Sequence, residues 1–153
     1  MQPFFKAAVI AAAMSLSVTS AADEPISTSS SGVAAGGHDV TAYPSLNRGG
    51  NAVTGNANYT ATYKGAAWHF VRREDRDKFN ENPEKFTPAF NGHCANALAL
   101  GEGLIPTSGK HWLILDDQLY FFFAPRGAKR WSDGNTKHYL SQATAAWKAI
   151  TKP

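Results

Sequence analysis

The stretch His111-Trp112-Leu113-Ile114-Leu115-Asp116-Asp117-Gln118-Leu119-Tyr120-Phe121-Phe122-Phe123 decides the fold. Two runs of apolar and aromatic residues flank an Asp-Asp pair, the pattern of a hairpin closed by a tight turn. The returning run is nearly continuous in aromatics and does not alternate with polar residues. That composition predicts a strand buried on both faces.

A first hairpin precedes it. Asn58-Tyr59-Thr60-Ala61-Thr62-Tyr63 alternates large and small residues, Lys64-Gly65 supplies the turn, and Ala67-Trp68-His69-Phe70-Val71 returns. Period two places Trp68 and Phe70 on one face and Ala67, His69 and Val71 on the other. Residues 74–82 read as a charged helix anchored by Phe79. Its Arg72-Arg73-Glu74-Asp75-Arg76-Asp77-Lys78 run reads as a solvated face with i,i+4 pairs such as Glu74 with Lys78. Pro83 and Pro88 bracket a turn that holds Phe86. Residues 94–100 read as a helix stopped by Gly101, with Leu98 four residues on from Cys94. After the second hairpin come a short helix over 125–131 and a longer one capped by Asn135. Tyr139, Leu140, Ala143, Trp147 and Ile150 share a stripe of that last helix. The expected fold is α+β: a small single domain with two β-hairpins and several short helices, closing with a longer C-terminal helix.

The start of the chain reads as an export signal. Residues 1–6 carry one positive charge, residues 7–18 form an alanine-rich apolar run, and Ser20-Ala21-Ala22 offers small residues for cleavage. A signal peptide is therefore expected over 1–22. The apolar run is well short of the roughly 20 residues that span a bilayer, and no other stretch is longer, so no membrane span is expected in the mature form. The expected protein is soluble, exported and periplasmic. Residues 23–35, rich in serine, glycine and alanine and free of aromatics, read as a flexible leader. That leaves 36–150 as one domain holding all four tryptophans, enough for a core without disulfides. The formal charge of +3 falls by one when Lys6 leaves with the signal. Apart from Arg72-Arg73 and residues 126–130 the basic residues are not clustered, so nucleic acid is not an expected partner.

Cys94 is the one cysteine of the chain. It cannot form an internal disulfide, which leaves metal ligation, thiol chemistry, an intermolecular bridge or packing. It stands in Gly92-His93-Cys94-Ala95-Asn96, where a loop turns into a helix.

Taken in order, these landmarks resemble the YHS-domain family, in particular its small exported single-domain branch. The resemblance rests on Gly37-His38-Asp39-Val40-Thr41-Ala42-Tyr43 at the opening. It continues through Tyr63-Lys64-Gly65-Ala66-Ala67-Trp68-His69-Phe70 and Arg76-Asp77-Lys78-Phe79-Asn80-Glu81-Asn82-Pro83-Glu84-Lys85-Phe86. Asn91-Gly92-His93-Cys94-Ala95 supplies the glycine-cysteine signature, and Trp112-Leu113-Ile114-Leu115-Asp116 and Lys129-Arg130-Trp131 the closing half. The resemblance implies an association with heavy-metal handling and with metal-transporting partners. Metal-linked members carry further cysteines where this chain has Ala42, Val71 and Asp75. In the exported branch only the position of Cys94 belongs to the pattern, and its biochemical role is unassigned.

Three functions remain open on the residues. The leading expectation is a non-enzymatic domain that binds copper or zinc through the Cys94 thiolate, with imidazoles from His38 and His93 and an oxygen from Asp39. Tyr43 would line the same pocket. Neighbouring helical residues point about 100° apart, so His93 and Cys94 share an ion only if the helix starts after them. The second is a thiol enzyme or redox sensor: a cysteine in a first helical turn favours the thiolate, with His93 or His38 as base and Asp39 orienting it. The third is a small-ligand or protein-interaction module lined by aromatics such as Trp68, Trp112 and residues 120–123. Such strand residues more often form core. His69 and His111 read as structural and His138 as exposed. The sequence leaves the oligomeric state open.

Overall fold

The computed structural model describes residues 24–152. The expected signal peptide and the first leader residue lie outside that range. Four strands form two antiparallel hairpins: β1 (Asn56–Tyr63) with β2 (Ala66–Phe70), and β3 (His111–Leu115) with β4 (Gln118–Phe122). Between the hairpins lie α1 (Arg73–Glu81), α2 (Pro83–Phe86) and α3 (Ala95–Ala99). After them come α4 (Pro125–Asp133) and α5 (Thr136–Ile150). The fold is a small α+β single domain, as expected. No helix among the described residues is long and apolar enough to cross a membrane.

Both hairpins turn through two left-handed residues, Lys64-Gly65 and Asp116-Asp117. Two positive φ angles give the turn a twist that matches the flanking strands. Trp112 pairs with Phe121, Leu113 with Tyr120 and Ile114 with Leu119. Residues 119–122 are all buried, so the strand is covered on both sides as its composition predicts, while Phe123 just beyond it is exposed. Period two then divides the interior. Trp112, Ile114, Leu119 and Phe121 face a first core, and Leu113, Leu115, Tyr120 and Phe122 face a second.

The first core is aromatic and centred on Phe79. Its ring lies 5.2 Å from Trp68, 5.1 Å from Phe70 and 5.9 Å from Tyr63, with Phe86 at 6.4 Å. In β2, Ala66, Trp68 and Phe70 point in, as period two requires. The charged face of α1 is solvated, but its ion pairs are Arg72–Asp75 at 3.0 Å and Arg76–Asp77 at 2.8 Å. The expected Glu74–Lys78 pair gives way to Lys78 lying over the Phe86 ring. The second core gathers α3, α4 and α5 around Trp131, which meets Phe122 at 5.4 Å and stacks on Tyr139. The Trp131 indole N–H has no acceptor there. The Asn135 side chain caps α5 by accepting from the His138 N–H at 3.1 Å. Along the stripe of α5, Ala143 is buried and Tyr139, Leu140 and Trp147 pack on the second core, whereas Ile150 is exposed.

The largest departure concerns the expected flexible leader. From residue 24 on it belongs to the fold. Ile26, Ser27, Ala34 and Ala35 are buried, and Ile26, Ala34 and Ala35 join the first core. Val33 forms a parallel bridge to Ala67, with Ala34 N–H donating to the Ala67 carbonyl and Ala67 N–H to the Gly32 carbonyl. The Ser27 N–H donates to the Asn91 carbonyl at 2.8 Å. The composition argument missed this because small residues need little apolar surface when their backbone hydrogen bonds are met by neighbouring strands. Gly36 and Gly109 mark where this strap crosses the chain before β3. A Cβ on Gly36 would lie 2.2 Å from the Ser108 carbonyl oxygen, and one on Gly109 would lie 2.6 Å from that of Ala35. Ile26→Ala should therefore lower the unfolding free energy by about 2–4 kcal/mol in a urea titration. A loss below about 0.5 kcal/mol would return the segment to a loose leader.

Candidate functional site

Cys94 caps α3, so the helix begins after both His93 and Cys94. The turn before it is unusual: Phe90, Asn91 and Gly92 all have positive φ, at 55°, 51° and 80°. A left-handed conformation is costly for a bulky residue such as Phe90, of the order of 1–3 kcal/mol, and must be held by its surroundings. The Phe90 ring is wedged 5.9 Å from Tyr120 and 5.8 Å from Trp147. The Asn91 side-chain amide donates to the Glu24 carbonyl, and Thr107 Oγ1 donates to that of Gly92 at 2.8 Å. The strap and the loop before β3 thus fix the turn that aims Cys94.

The cysteine sulfur accepts two backbone hydrogen bonds, from Ala97 N–H at 3.5 Å and from Phe123 N–H at 3.2 Å. The residue is buried, yet it lines a cavity of about 320 Å³ together with Asn96, Ala97, Glu102, Ile105, Phe123, Ala124, Arg126 and Gly127. Phe123 stands at this cavity with 65% of its surface exposed. Neither hydrogen bond to the sulfur comes from an imidazole or a carboxyl group.

The other expected ligands are engaged elsewhere. His38 is buried, and its Nδ1 donates to the carbonyls of Ala35 at 2.8 Å and Ser108 at 3.0 Å. It lines a separate depression with Lys110 and His111. The His93 Nδ1 donates to the Phe90 carbonyl at 3.0 Å, and the ring faces Trp147 at 6.2 Å. Asp39 is 1% exposed and spends both oxygens on structure. Oδ1 accepts from the Thr41 N–H and hydroxyl at 2.9 and 2.7 Å, and Oδ2 accepts from the Val71 N–H at 2.9 Å. It staples the opening segment to the end of the first hairpin. Tyr43 is fully buried between Trp112 and Phe121 and donates to the Gly109 carbonyl at 2.8 Å. It is a core residue and is not part of the wall of the Cys94 cavity.

Among the described residues no three His, Cys, Asp or Glu side chains are grouped so as to hold a metal ion. The set of Cys94, His38, His93 and Asp39 does not fit a shared copper or zinc centre, which needs its donors around one point. His93 is a chain neighbour of Cys94, but its side chain leaves in another direction, toward α5. Of the three remaining histidines, His69 and His111 are half-buried and His138 is exposed.

Compared with models of known families, with curated proteins and with solved structures, the chain has no match.

The structural roles of Asp39 and Tyr43 are testable through stability. Asp39→Ala leaves two buried Thr41 donors and the part-buried Val71 N–H unsatisfied and should cost about 3 kcal/mol by chemical denaturation. Burial, and then the Asp39 charge, pushes the Tyr43 hydroxyl well above the ordinary tyrosine pKa. The folded protein thus holds this proton to higher pH than the unfolded chain does. Its contribution is complete below about pH 10 and is lost as pH rises beyond that. Tyr43→Phe should flatten the alkaline limb of stability against pH. An unchanged limb would show that the hydroxyl does not carry it.

Proposed function

We propose that this chain is an exported, non-catalytic domain of the YHS type whose ligand site is the cavity beneath Phe123. The observation that carries the reading is the cavity itself: about 320 Å³, walled largely by Ile105, Phe123 and small residues, with one sulfur and the polar groups of Asn96, Glu102 and Arg126. Small-molecule sites have this size and composition, a mostly apolar wall with few polar groups. Its ligand is a small molecule with an apolar surface and a soft group that meets the Cys94 sulfur. The family reading is supported by the order of the landmarks from Gly37 to Trp131, and export by residues 1–22 of the sequence.

A thiol enzyme is less well supported, because the sulfur's hydrogen bonds come from the backbone and it has no paired base. Copper or zinc held by the four expected ligands is not supported either. A soft ion held by Cys94 without the histidines is the second reading, favoured by the sulfur's place in the cavity wall.

N-phenylmaleimide, an aryl thiol reagent, tests the cavity against the negatively charged iodoacetate. Relative to their rates with glutathione, the aryl reagent should modify native Cys94 about tenfold faster. Ala124→Leu should reduce that advantage while circular dichroism stays native. A thiol inert to both reagents until the protein unfolds would sink the proposal. Anaerobic Cu(I) titration checks the second reading. One-to-one binding that survives His38→Ala and His93→Ala but not Cys94→Ser would make the cavity a metal pocket.

A further inference from the structure

A second cavity, of about 450 Å³, lies on the other side of α4. Its wall comes from three separate pieces of chain: residues 48–50, residues 110–113 at the start of β3, and the face of α4 that carries Pro125, Ala128, Lys129, Ser132 and Asp133. The loop over 48–50 is pinned in place. Gly50 N–H donates to the Asn47 carbonyl at 2.7 Å, and the Trp112 indole donates to the Gly50 carbonyl at 3.0 Å. Trp112 and Leu113 are themselves core residues. The edge of β3 at Trp112 and Leu113, with Pro125 and Ala128 of α4, gives the lining an apolar part.

Its rim is cationic. Arg48, Lys110 and Lys129 all border it, against one carboxylate, Asp133. That carboxylate is already engaged. It pairs with Lys129 and accepts from the Ser132 hydroxyl, and these contacts, with the more distant Arg48, hold its pKa below the usual carboxylate range. The Arg48 and Lys110 side chains make no hydrogen bond or ion pair among the described residues. This differs from the other basic side chains with acidic neighbours: Arg72 pairs with Asp75 and Arg76 with Asp77. Two unpaired cations from distant parts of the sequence thus converge on a preformed, partly apolar hollow. Such an arrangement attracts negative charge and gives an apolar body somewhere to lie.

We infer that this cavity binds a small organic anion, with its phosphate or carboxylate among Arg48, Lys110 and Lys129 and its apolar part against Pro125, Ala128 and the edge of β3. The site is independent of the Cys94 cavity and does not rest on that reading. The anionic group can come from a phosphate ester or a carboxylic acid, and the two share the same chemistry of recognition. Neutral aromatics lack the charge the rim selects, and inorganic phosphate lacks the body the apolar part of the lining selects.

The test is a titration of the ¹⁵N-labelled protein with phenyl phosphate, benzoate, inorganic phosphate and phenol at matched ionic strength. Phenyl phosphate or benzoate should bind about tenfold more tightly than inorganic phosphate or phenol, with amide shifts centred on residues 48–50, 110–113 and 128–133. Which of the two is tighter distinguishes a phosphate from a carboxylate ligand. Arg48→Glu and Lys110→Glu, both at exposed positions, should each weaken the tighter probe at least about fivefold, while Arg72→Glu should not. Affinity should also fall as salt is raised from low to physiological strength. Equal affinity for phenyl phosphate, benzoate and inorganic phosphate would overturn the inference, as would indifference to both charge reversals. Shifts centred on residues 94–97, 102, 105 and 123 would also overturn it, and would assign the probe to the Cys94 cavity. Because Cys94 alkylation is read separately, either site can fail while the other stands.

Discussion

The structure depends on one hairpin having no solvent face. A two-stranded ribbon is marginal in water by itself. Here β3 and β4 gain stability because each successive side chain enters one of two cores. Burying a large apolar side chain is worth roughly 1.5–3 kcal/mol, and residues 112–115 and 119–122 gain this on both faces of the ribbon. The arrangement sets strict terms for everything else. Slipping the pairing by one residue would turn over one strand against the other, sending Leu119 and Phe121 toward the helices and Tyr120 and Phe122 toward the first core while Trp112 stayed in place. Tyr43, seated between Trp112 and Phe121, fits only one of these registers.

Both cavities follow from how the second hairpin is covered. The helix α4 begins directly after β4, with Pro125 in its first turn, and runs back across β3. A single helix cannot fill both flanks of a twisted ribbon. One hollow is left where α4 meets α3, and another where it meets the loop over 48–50. The first is reached by the sulfur of Cys94 because the left-handed turn over 90–92 ends the chain's approach to α3 at that point. Side chains from α5 and β4 and the Glu24 carbonyl of the strap hold this turn, so the geometry at the sulfur is set in part by a residue 67 positions from Asn91.

Local signals were legible in the sequence. The two turns, the Asn135 cap, the Phe79 anchor and the two-sided β4 strand each depend on residues within one element or its immediate neighbours. What was not legible depended on distant backbone. The strap is largely polar in composition and is held by main-chain bonds to Ala67 and Asn91, which side-chain patterning does not encode; Ile26 and Val33 were its only large aliphatic residues. The proposed metal ligands looked convergent because His38 and Asp39, and His93 and Cys94, are adjacent in sequence. In the fold each pair separates, since adjacent side chains leave the backbone in different directions and each found a nearer partner. Asn91-Gly92 carried a turn signal that could have shown the chain bending before Cys94. The cationic cavity had no such signal, because Arg48, Lys110 and Lys129 are far apart in the chain.

The bridge between Val33 and Ala67 has a further consequence. Strand β2 belongs to a sheet of only two strands, so the side turned away from β1 would carry free N–H and C=O groups. Such an edge is a template on which a second molecule can add a strand. The strap occupies that template where Gly32 and Ala34 bond to Ala67. It acts as a guard against self-association as well as a part of the core. Proteolytic removal of the strap would leave a protein prone to join its neighbours edge to edge, even where the remaining domain kept its shape.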